Sequence, residues 1–568
     1  MPQQDYREFM VSYNTALFRE LSSREDVYIK NIDNQWMILY YPADISPDPS
    51  QVLYLQTPKA YAPTVTATAA FAPDAESSAP RDISGITRVQ GQRGLMLRGQ
   101  GTLIGIIDSG IDYTNPLFTY ARGLSKIEAL WDQTTDTVYD NAAINEALRN
   151  AAQGVDPLSI VPSTDTNGSG TFLAGIACAS TDTATGFCGA APDAGLLVVK
   201  LRPLSKYLRD YYLIRDDAAA YSEADIMLGL EFLLKRAQDL GKPLSICLGL
   251  GGSMGPHTSG SPLTAYALRL SSYVNTSVTI PVGNEGNARR HYNGIVHPDR
   301  QYDAVEMYVA DNNRGFMLEL WAEGADLFSI GLTSPLGETI PRLPARNQRG
   351  GTTIRPALED TVIQVDYDTV DNASGNEVIR MRFQTPTPGI WKLQVYGLSG
   401  LTGRFNLWLP VTDFLTSECY FLRPSPDTTL TQPSAGSPII SVGAYDHRTG
   451  GLYIESGRGP TADGIIKPDL VAPGVNITGP AKEQKENSGI TYTVSSGTGI
   501  AAAYVAGAVS LMYSAEAYEE EPEYPSQATI KSRLVRGADR STRTSYPNIE
   551  FGYGTLNAYG AVSQSTLQ

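Results

Sequence analysis

With 568 residues the chain is too long for one compact core, so two or three domains sharing a large α/β unit are expected. Its hydrophobic fraction of 42% is that of an ordinary globular protein. The 60 acidic against 44 basic side chains give a net charge of -16, which argues against a nucleic-acid backbone as partner and selects no other.

The chain opens MPQQDYREFMV, where no basic region leads into an apolar run, so no classical signal peptide is expected. β-like runs at Val27 to Ile29 and Trp36 to Tyr41, around a helix from about Asn14 to Leu21, suffice for a small α+β module. From Tyr61 to Pro80 the sequence is rich in Ala, Thr, Ser and Pro and reads as a loop or linker, because it offers few large groups for burial. Four apolar runs follow, at Leu103 to Ile107, Leu196 to Val199, Leu244 to Leu248 and Val278 to Val282. Such runs suit the inner strands of a parallel sheet whose faces are covered by crossover helices. One crossover is expected from Ser222 to about Gln238, with Ser222 as cap, Asp225 extending the capping signal, and Ile226, Leu230 and Leu233 at helical spacing.

Near residue 300 the period becomes two. Ile363, Val365 and Tyr367 alternate with Gln364 and Asp366, and the same pattern recurs at Ile379 to Gln384 and Trp391 to Val395. An antiparallel β-sandwich, of jelly-roll type, is therefore expected at about 300–427. Ile439 to Gly443 then resumes the α/β pattern, which makes the sandwich an insertion. The acidic run Glu519 to Glu521 reads as a wet loop. The apolar runs near Leu248 and Val505 are short and glycine-broken, so no membrane span is expected.

Cys178, Cys188, Cys247 and Cys419 form no metal-type cluster and read as buried thiols, with a Cys178–Cys188 disulfide as the alternative. His257, His291, His297 and His447 read as loop or surface histidines. No zinc motif, nucleotide loop or other cofactor signature is found in the sequence.

Five runs in order carry a resemblance: Leu103 to Asp112 (LIGIIDSGID), Asn167 to Ala177 (NGSGTFLAGIA), Pro281 to Gly286 (PVGNEG), Lys467 to Val475 (KPDLVAPGV) and Ser496 to Gly507 (SGTGIAAAYVAG). Together they resemble the subtilisin-like serine proteases, family S8, over roughly 95–300 and 435–560. The resemblance implies a parallel sheet flanked by helices, an N-terminal α+β prodomain and the inserted jelly roll. The expected boundaries are 1–85 for the prodomain with its linker, 86–299 and 428–568 for the two parts of the subtilisin-like domain, and 300–427 for the insertion. Asp108 matches the family's orienting aspartate and Asn284 its oxyanion residue. Ser169 stands where the family's GHGT has the catalytic histidine, and Gly499 where GTSMA has the nucleophilic serine. A glycine offers no nucleophile and a serine no useful base, so the resemblance implies a pseudoprotease, not an enzyme, with vestigial triad positions Asp108, Ser169 and Gly499. Leu248, Gly249, Leu250, Gly251 and Gly252 correspond to a wall of the substrate cleft, which His257 is expected to approach. No displaced Cys–His mechanism is expected, since Cys247 reads as a buried thiol.

More narrowly, the chain resembles the Csp germination proteases of clostridial spores, in particular the inactive CspC or CspA type. The features are the size of the N-terminal module, Asp108 to Asp112, Leu248 to Gly251 leading to His257 and Ser261 to Leu263, and the large β insertion. This implies a regulatory, signalling role in germination at the spore cortex or coat. The implied partners are an active Csp protease, a cortex-lytic hydrolase proenzyme or another Csp pseudoprotease. A receptor for a small-molecule germinant, such as a bile salt or co-germinant, and a structural spore protein are the alternatives; an active endopeptidase with a displaced mechanism is the last. Without self-cleavage, the prodomain is expected to stay attached, its last strand in the old cleft.

Overall fold

The computed structural model describes residues 6–42, 55–70, 78–345, 351–371, 374–398, 401–482, 490–517 and 523–563, with the backbone alone at 55 and 66–70. The expected acidic loop at Glu519 to Glu521 lies outside them. At the centre is an eight-stranded sheet in the spatial order Leu470–Pro473, Ile440–Tyr445, Thr276–Pro281, Leu244–Leu248, Leu103–Asp108, Gly195–Lys200, Ile127–Asp132 and Thr137–Asp140. All neighbours run parallel except the last pair. The four apolar runs form its middle, buried on both faces because helices cover each side.

Helices Glu223–Leu240 and Pro262–Leu270 pack on one face, and Ser169–Cys178 and Thr498–Glu516 on the other. Thr498–Glu516 is long and apolar enough to cross a membrane, but 94% of its apolar window is buried inside the protein, as befits a core helix. Ser222 caps Glu223–Leu240 by accepting from Ala224 N, and Gly241 ends it in the left-handed region. Asp225 does not extend that cap. It turns inward to accept from Arg202 Nε at 2.7 Å, because a buried guanidinium demands a carboxylate more strongly than a helix start does.

The N-terminal residues form a four-stranded antiparallel sheet in the order Tyr28–Asn31, Trp36–Pro42, Tyr6–Ser12, Leu55–Gln56, with helix Thr15–Ser22 capped by Asn14. Both faces of this sheet are used. Phe9, Val11, Met37 and Leu39 close on the helix, while Met10, Ile38 and Tyr40 join the core around Glu223–Leu240.

The inserted region is a two-sheet antiparallel sandwich with its own core, of six and five strands. Its first strand, His291–Ile295, starts ahead of residue 300. Val362–Asp368 alternates Ile363, Val365 and Tyr367 inward, as the period of two requires.

Two expectations are corrected. The stretch from Tyr61 is not a simple linker: Ala60–Pro63 and Thr66–Ala70 are strands, ordered by main-chain pairing and, at Tyr61, by a ring fully buried in the core. Of the four histidines only His297 is exposed. His257 and His291 are buried because their rings stack on Trp408, with centroids 3.9 and 4.9 Å away, joining the loop after Leu250–Gly251 to the sandwich. All four cysteines are buried free thiols.

Trp408 is 2% exposed and donates Nε1 to Thr428 O. Trp408→Ala is expected to cost about 3–5 kcal/mol. Denaturant unfolding checks this, and a loss below about 1 kcal/mol would show the stack to be dispensable.

Candidate functional site

Strand Leu103–Asp108 delivers Asp108 to its carboxyl end, where the side chain is fully buried. Ser109 N donates to its Oδ1 at 2.7 Å, and Oδ2 has no hydrogen-bond partner among the described residues. Burial pushes the Asp108 carboxyl up to about 7, against the pull of the Ser109 amide; neighbouring Asp165 adds to the rise. Ser169, the first residue of helix Ser169–Cys178, faces this carboxylate with a buried hydroxyl. That helix start is set by Asp165, which accepts from Gly168 N and Thr171 N at 2.8 Å each and from Ser109 Oγ at 2.6 Å.

Asn284 follows strand Thr276–Pro281, and Gly499 lies at the start of Thr498–Glu516. Thr498 N and Oγ1 both donate to Asn284 Oδ1 at 3.0 Å, which fixes the amide so that Nδ2 points into the cleft. There Nδ2 donates to Thr64 O at 3.1 Å, and Gly499 N donates to the same oxygen at 3.3 Å. A strand of the chain's own N-terminal region thus fills the cleft. Ala60–Pro63 pairs antiparallel with Tyr221–Ser222 on one side and Leu250–Gly251 on the other, and Thr64 N and Oγ1 donate to Gly249 O at 3.0 and 2.8 Å. Val65 is followed by strand Thr66–Ala70, paired with Tyr492–Ser496.

Two positions have no room for a side chain without a shift. A Cβ on Gly499 would lie 2.6 Å from Thr64 Oγ1 and 3.1 Å from Val65 Cγ2. Gly497, at φ +145°, would place one 2.1 Å from Thr64 O. Cavities remain on both sides of the strand. One of about 310 Å³ is lined by Thr64, Asn284, Glu285, Thr412 and Thr431; another of about 430 Å³ is lined by Val65, Ser169, Phe172, Arg215 and Lys482. Burial pushes Glu285 up to about 7, with Arg290 opposing.

Of the residues singled out in the sequence, Asp108 and Ser169 meet at one end of the cleft, and Asn284 and Gly499 meet on Thr64. Gly249, Leu250 and Gly251 form one wall, Leu248 lies in the core behind it, and Gly252 pairs with Gln432 instead. His257 does not reach the cleft. Its ring nitrogens lie 2.7 Å from Leu430 O and 2.8 Å from Ser253 O, and burial lowers its pKa to about 4. Burial pushes the Cys247 thiol up as well, consistent with an inert side chain. Sequence reasoning missed Thr64, Asp165 and Thr498. The Asp165–Gly168 spacing ahead of a helix was a capping signal that could have exposed the second. Chemically, the cleft can polarise one peptide carbonyl through two N–H donors. The group facing Asp108 is a hydroxyl, and position 499 supplies only its backbone.

Residues 99–224 and 422–554 match the Subtilase family. The fold is similar to that of the CspB protease of Clostridium perfringens, 28% identical, with a TM-score of 0.74, covering 86% of this chain and 99% of that one. Serine protease AprX of Bacillus subtilis is 32% identical over 152 residues, 24% of this chain and 33% of AprX. A PII-type proteinase of Lacticaseibacillus paracasei is 23% identical over 476 residues, 77% of this chain and 24% of the proteinase. The chain thus spans a third or less of the length of these two curated relatives. These similarities correct one expectation. The chain was expected to be no enzyme, yet the CspB protease and AprX, to which it is similar, are serine proteases, and that classification does not stand.

Asp108 gives a pH test. Its folded pKa of about 7 lies above the ordinary 3.8, so the folded state holds a proton that the unfolded state releases. Its contribution is full below about pH 4 and is lost as pH rises towards 7. Asp108→Asn is therefore expected to be more stable than the parent by an amount that grows over that window and is flat above it, reaching a few kcal/mol at most. Melting temperatures of both proteins from pH 4 to about 8 check this, and a difference independent of pH would contradict it.

Proposed function

Starting from a subtilase domain built of residues 99–224 and 422–554, we propose that the chain is a Csp-type subtilase of the CspC or CspA kind, which regulates spore germination through a cleft filled by its own N-terminal segment. The observation that carries this reading is the carbonyl of Thr64, in the chain's own N-terminal region, held by Asn284 Nδ2 and Gly499 N. In this reading residues 1–85 are a retained prodomain, residues 300–427 are an inserted jelly roll, and Asn284 with Gly499 N is the oxyanion site. Asp108, Ser169 and Gly499 occupy the positions of the family's aspartate, histidine and serine, and the Thr64–Val65 bond lies where a substrate would be cut.

A strand paired on both edges and anchored at its carbonyl has the properties of a tightly bound peptide that stays whole. The regulatory step is then recognition: the filled cleft and the adjoining sandwich engage an active Csp protease, a cortex-hydrolase proenzyme or a second Csp chain at the spore cortex or coat. The similarity to the CspB protease of Clostridium perfringens supports the Csp-type part of this reading.

The purified chain is expected to keep its full mass, whereas the Ser169→His, Gly499→Ser double variant is expected to cut itself between Thr64 and Val65. The new Cβ at 499 needs the Thr64 hydroxyl to rotate away and the Val65 side chain to give slightly, both being ends of small side chains. Intact mass and N-terminal sequencing read both outcomes. Cleavage of the parent chain under protease-free conditions, or cleavage of the variant elsewhere, contradicts the reading. For the regulatory role, Thr64→Pro removes both donors to Gly249 O and loosens the strand. Spores carrying it are expected to germinate with altered timing, and unchanged timing overturns the role in germination.

A further inference from the structure

The N-terminal sheet meets the subtilase domain at a buried cluster of charge. Glu8, on strand Tyr6–Ser12, is 2% exposed and lies 3.5 Å from Arg202, which follows strand Gly195–Lys200. Arg202 also donates Nε to Asp225 at 2.7 Å and Nη2 to Tyr40 OH at 2.9 Å. Asp225, on helix Glu223–Leu240, is 1% exposed. Two carboxylates thus face one guanidinium, and among the described residues Glu8 Oε1 and Asp225 Oδ1 have no hydrogen-bond partner. Two other charged ties of this sheet are one-to-one: Lys30 with Asp136 at 2.9 Å, and Asp33 with Arg269.

With both carboxylates ionised, Glu8, Asp225 and Arg202 together carry one excess negative charge away from water, which is costly. A proton on Glu8 removes that excess and gives Oε1 a hydrogen to donate. The neighbours do not relieve it otherwise. Arg202 stays charged, its burial outweighed by Asp225, Tyr40 and Glu8, and burial holds the Tyr40 phenol well above its ordinary 10. Burial pushes the Glu8 carboxyl up to about 7; Asp225 adds to the rise, and Arg202 and the Ser222 hydroxyl oppose it.

We propose that Glu8 is a proton-controlled latch on the N-terminal segment: it takes up a proton as the sheet docks, and a rise to neutral pH loosens the sheet and the cleft strand with it. In the undocked sheet Glu8 has its ordinary 4.5, so docking is strongest below about pH 4.5, weakens as pH rises towards 7 and is flat above. One proton changes the docking equilibrium by at most about tenfold per pH unit. The latch adjoins the cleft. Ser222, which bears on Glu8, caps Glu223–Leu240 and pairs with Ala60 of the cleft strand, and Glu223 Oε2 accepts from Lys59 N at 3.1 Å. Docking of the sheet therefore steadies the wall on which the strand is seated, and a seated strand favours the docked sheet. Only this coupling rests on the filled cleft.

Residues 6–42 are too few to keep a fold undocked, so amide exchange of Tyr6–Ser12 and Trp36–Pro42 in the full chain reads the docking. Protection there, relative to free-peptide exchange at each pH, is expected to fall at least about tenfold from pH 5 to 7 and no further by about pH 8. Glu8→Gln is expected to keep it within about threefold over that range, and at pH 7 at least about tenfold above the parent. Asp225→Asn leaves Glu8 as the carboxylate on Arg202 and is expected to move the fall to lower pH; it carries the test should Glu8→Gln fail to fold. No fall in the parent, or the parent's fall unchanged in a folded variant, overturns the latch. The Thr64 amide separates the two readings. Protection at Thr64 with no fall in the sheet overturns the latch and leaves the filled cleft standing. A Thr64 amide that exchanges freely at pH 5 overturns the filled cleft, while the sheet still decides the latch. Thr64 protection that falls with the sheet in the parent but not in Glu8→Gln supports the coupling, and protection that holds while the sheet's falls overturns it.

Discussion

The carbonyl oxygen of Thr64 receives N–H donors from Asn284 and Gly499, and that meeting depends on segments more than two hundred residues apart. Asn284 is aimed by Thr498, whose hydroxyl also accepts from Gly283 N, so the loop after strand Thr276–Pro281 and the start of the core helix form one rigid unit. The strand before Thr64 adds main-chain pairing on both edges. Each bond is modest by itself, about 1 kcal/mol net. They all act on one short segment, which Tyr61, fully buried in the core beneath Glu223–Leu240, also anchors by its side chain.

This explains what could and could not be read from the amino-acid order. The inner strands were legible because burial on both faces leaves an unbroken apolar run, and the sandwich because one wet face leaves an alternation such as Ile363, Val365 and Tyr367. Asp108, Ser169, Asn284 and Gly499 stood out in the sequence because each lies in a glycine-containing run that resembles a family motif, and the structure brings Asp108 to Ser169 and Asn284 to Gly499. The Tyr61 to Pro80 stretch was misread because strand formation there depends on partners supplied by remote edges, a cause that local composition does not record. The histidines were misread for a related reason. A loop position such as His257 becomes interior only when an inserted domain brings Trp408 over it.

Electrostatics divide the molecule differently from the fold. Arg202 is held by Asp225 and Glu8, and Lys200 by Asp132, so these buried cations join strands, helix and N-terminal sheet through paired charge. Lys467 likewise pairs with Asp469, 2.8 Å away and almost wholly enclosed. Such pairs gain little over apolar packing, but losing one partner strands a charge in the interior. Asp108 is an exception, a carboxylate one of whose oxygens has no hydrogen-bond partner among the described residues.

The order of strands in the central sheet also bears on how the chain is made. Ile440–Tyr445 and Leu470–Pro473 form one flank, and the helix Thr498–Glu516 that covers one face is the last long element described. A ribosome therefore releases the inner strands, and then the whole sandwich, before the surface that will shield them exists. During that interval the opposite face is already coverable by Glu223–Leu240 and by the N-terminal sheet, whose Met10, Ile38 and Tyr40 belong to the same core. The nascent chain can thus hold the sheet in register, with one apolar face covered only by Ser169–Cys178, until Thr498–Glu516 arrives. Such an intermediate is slow to complete and exposed to aggregation, so the N-terminal segment has work to do in synthesis as well as in the finished protein.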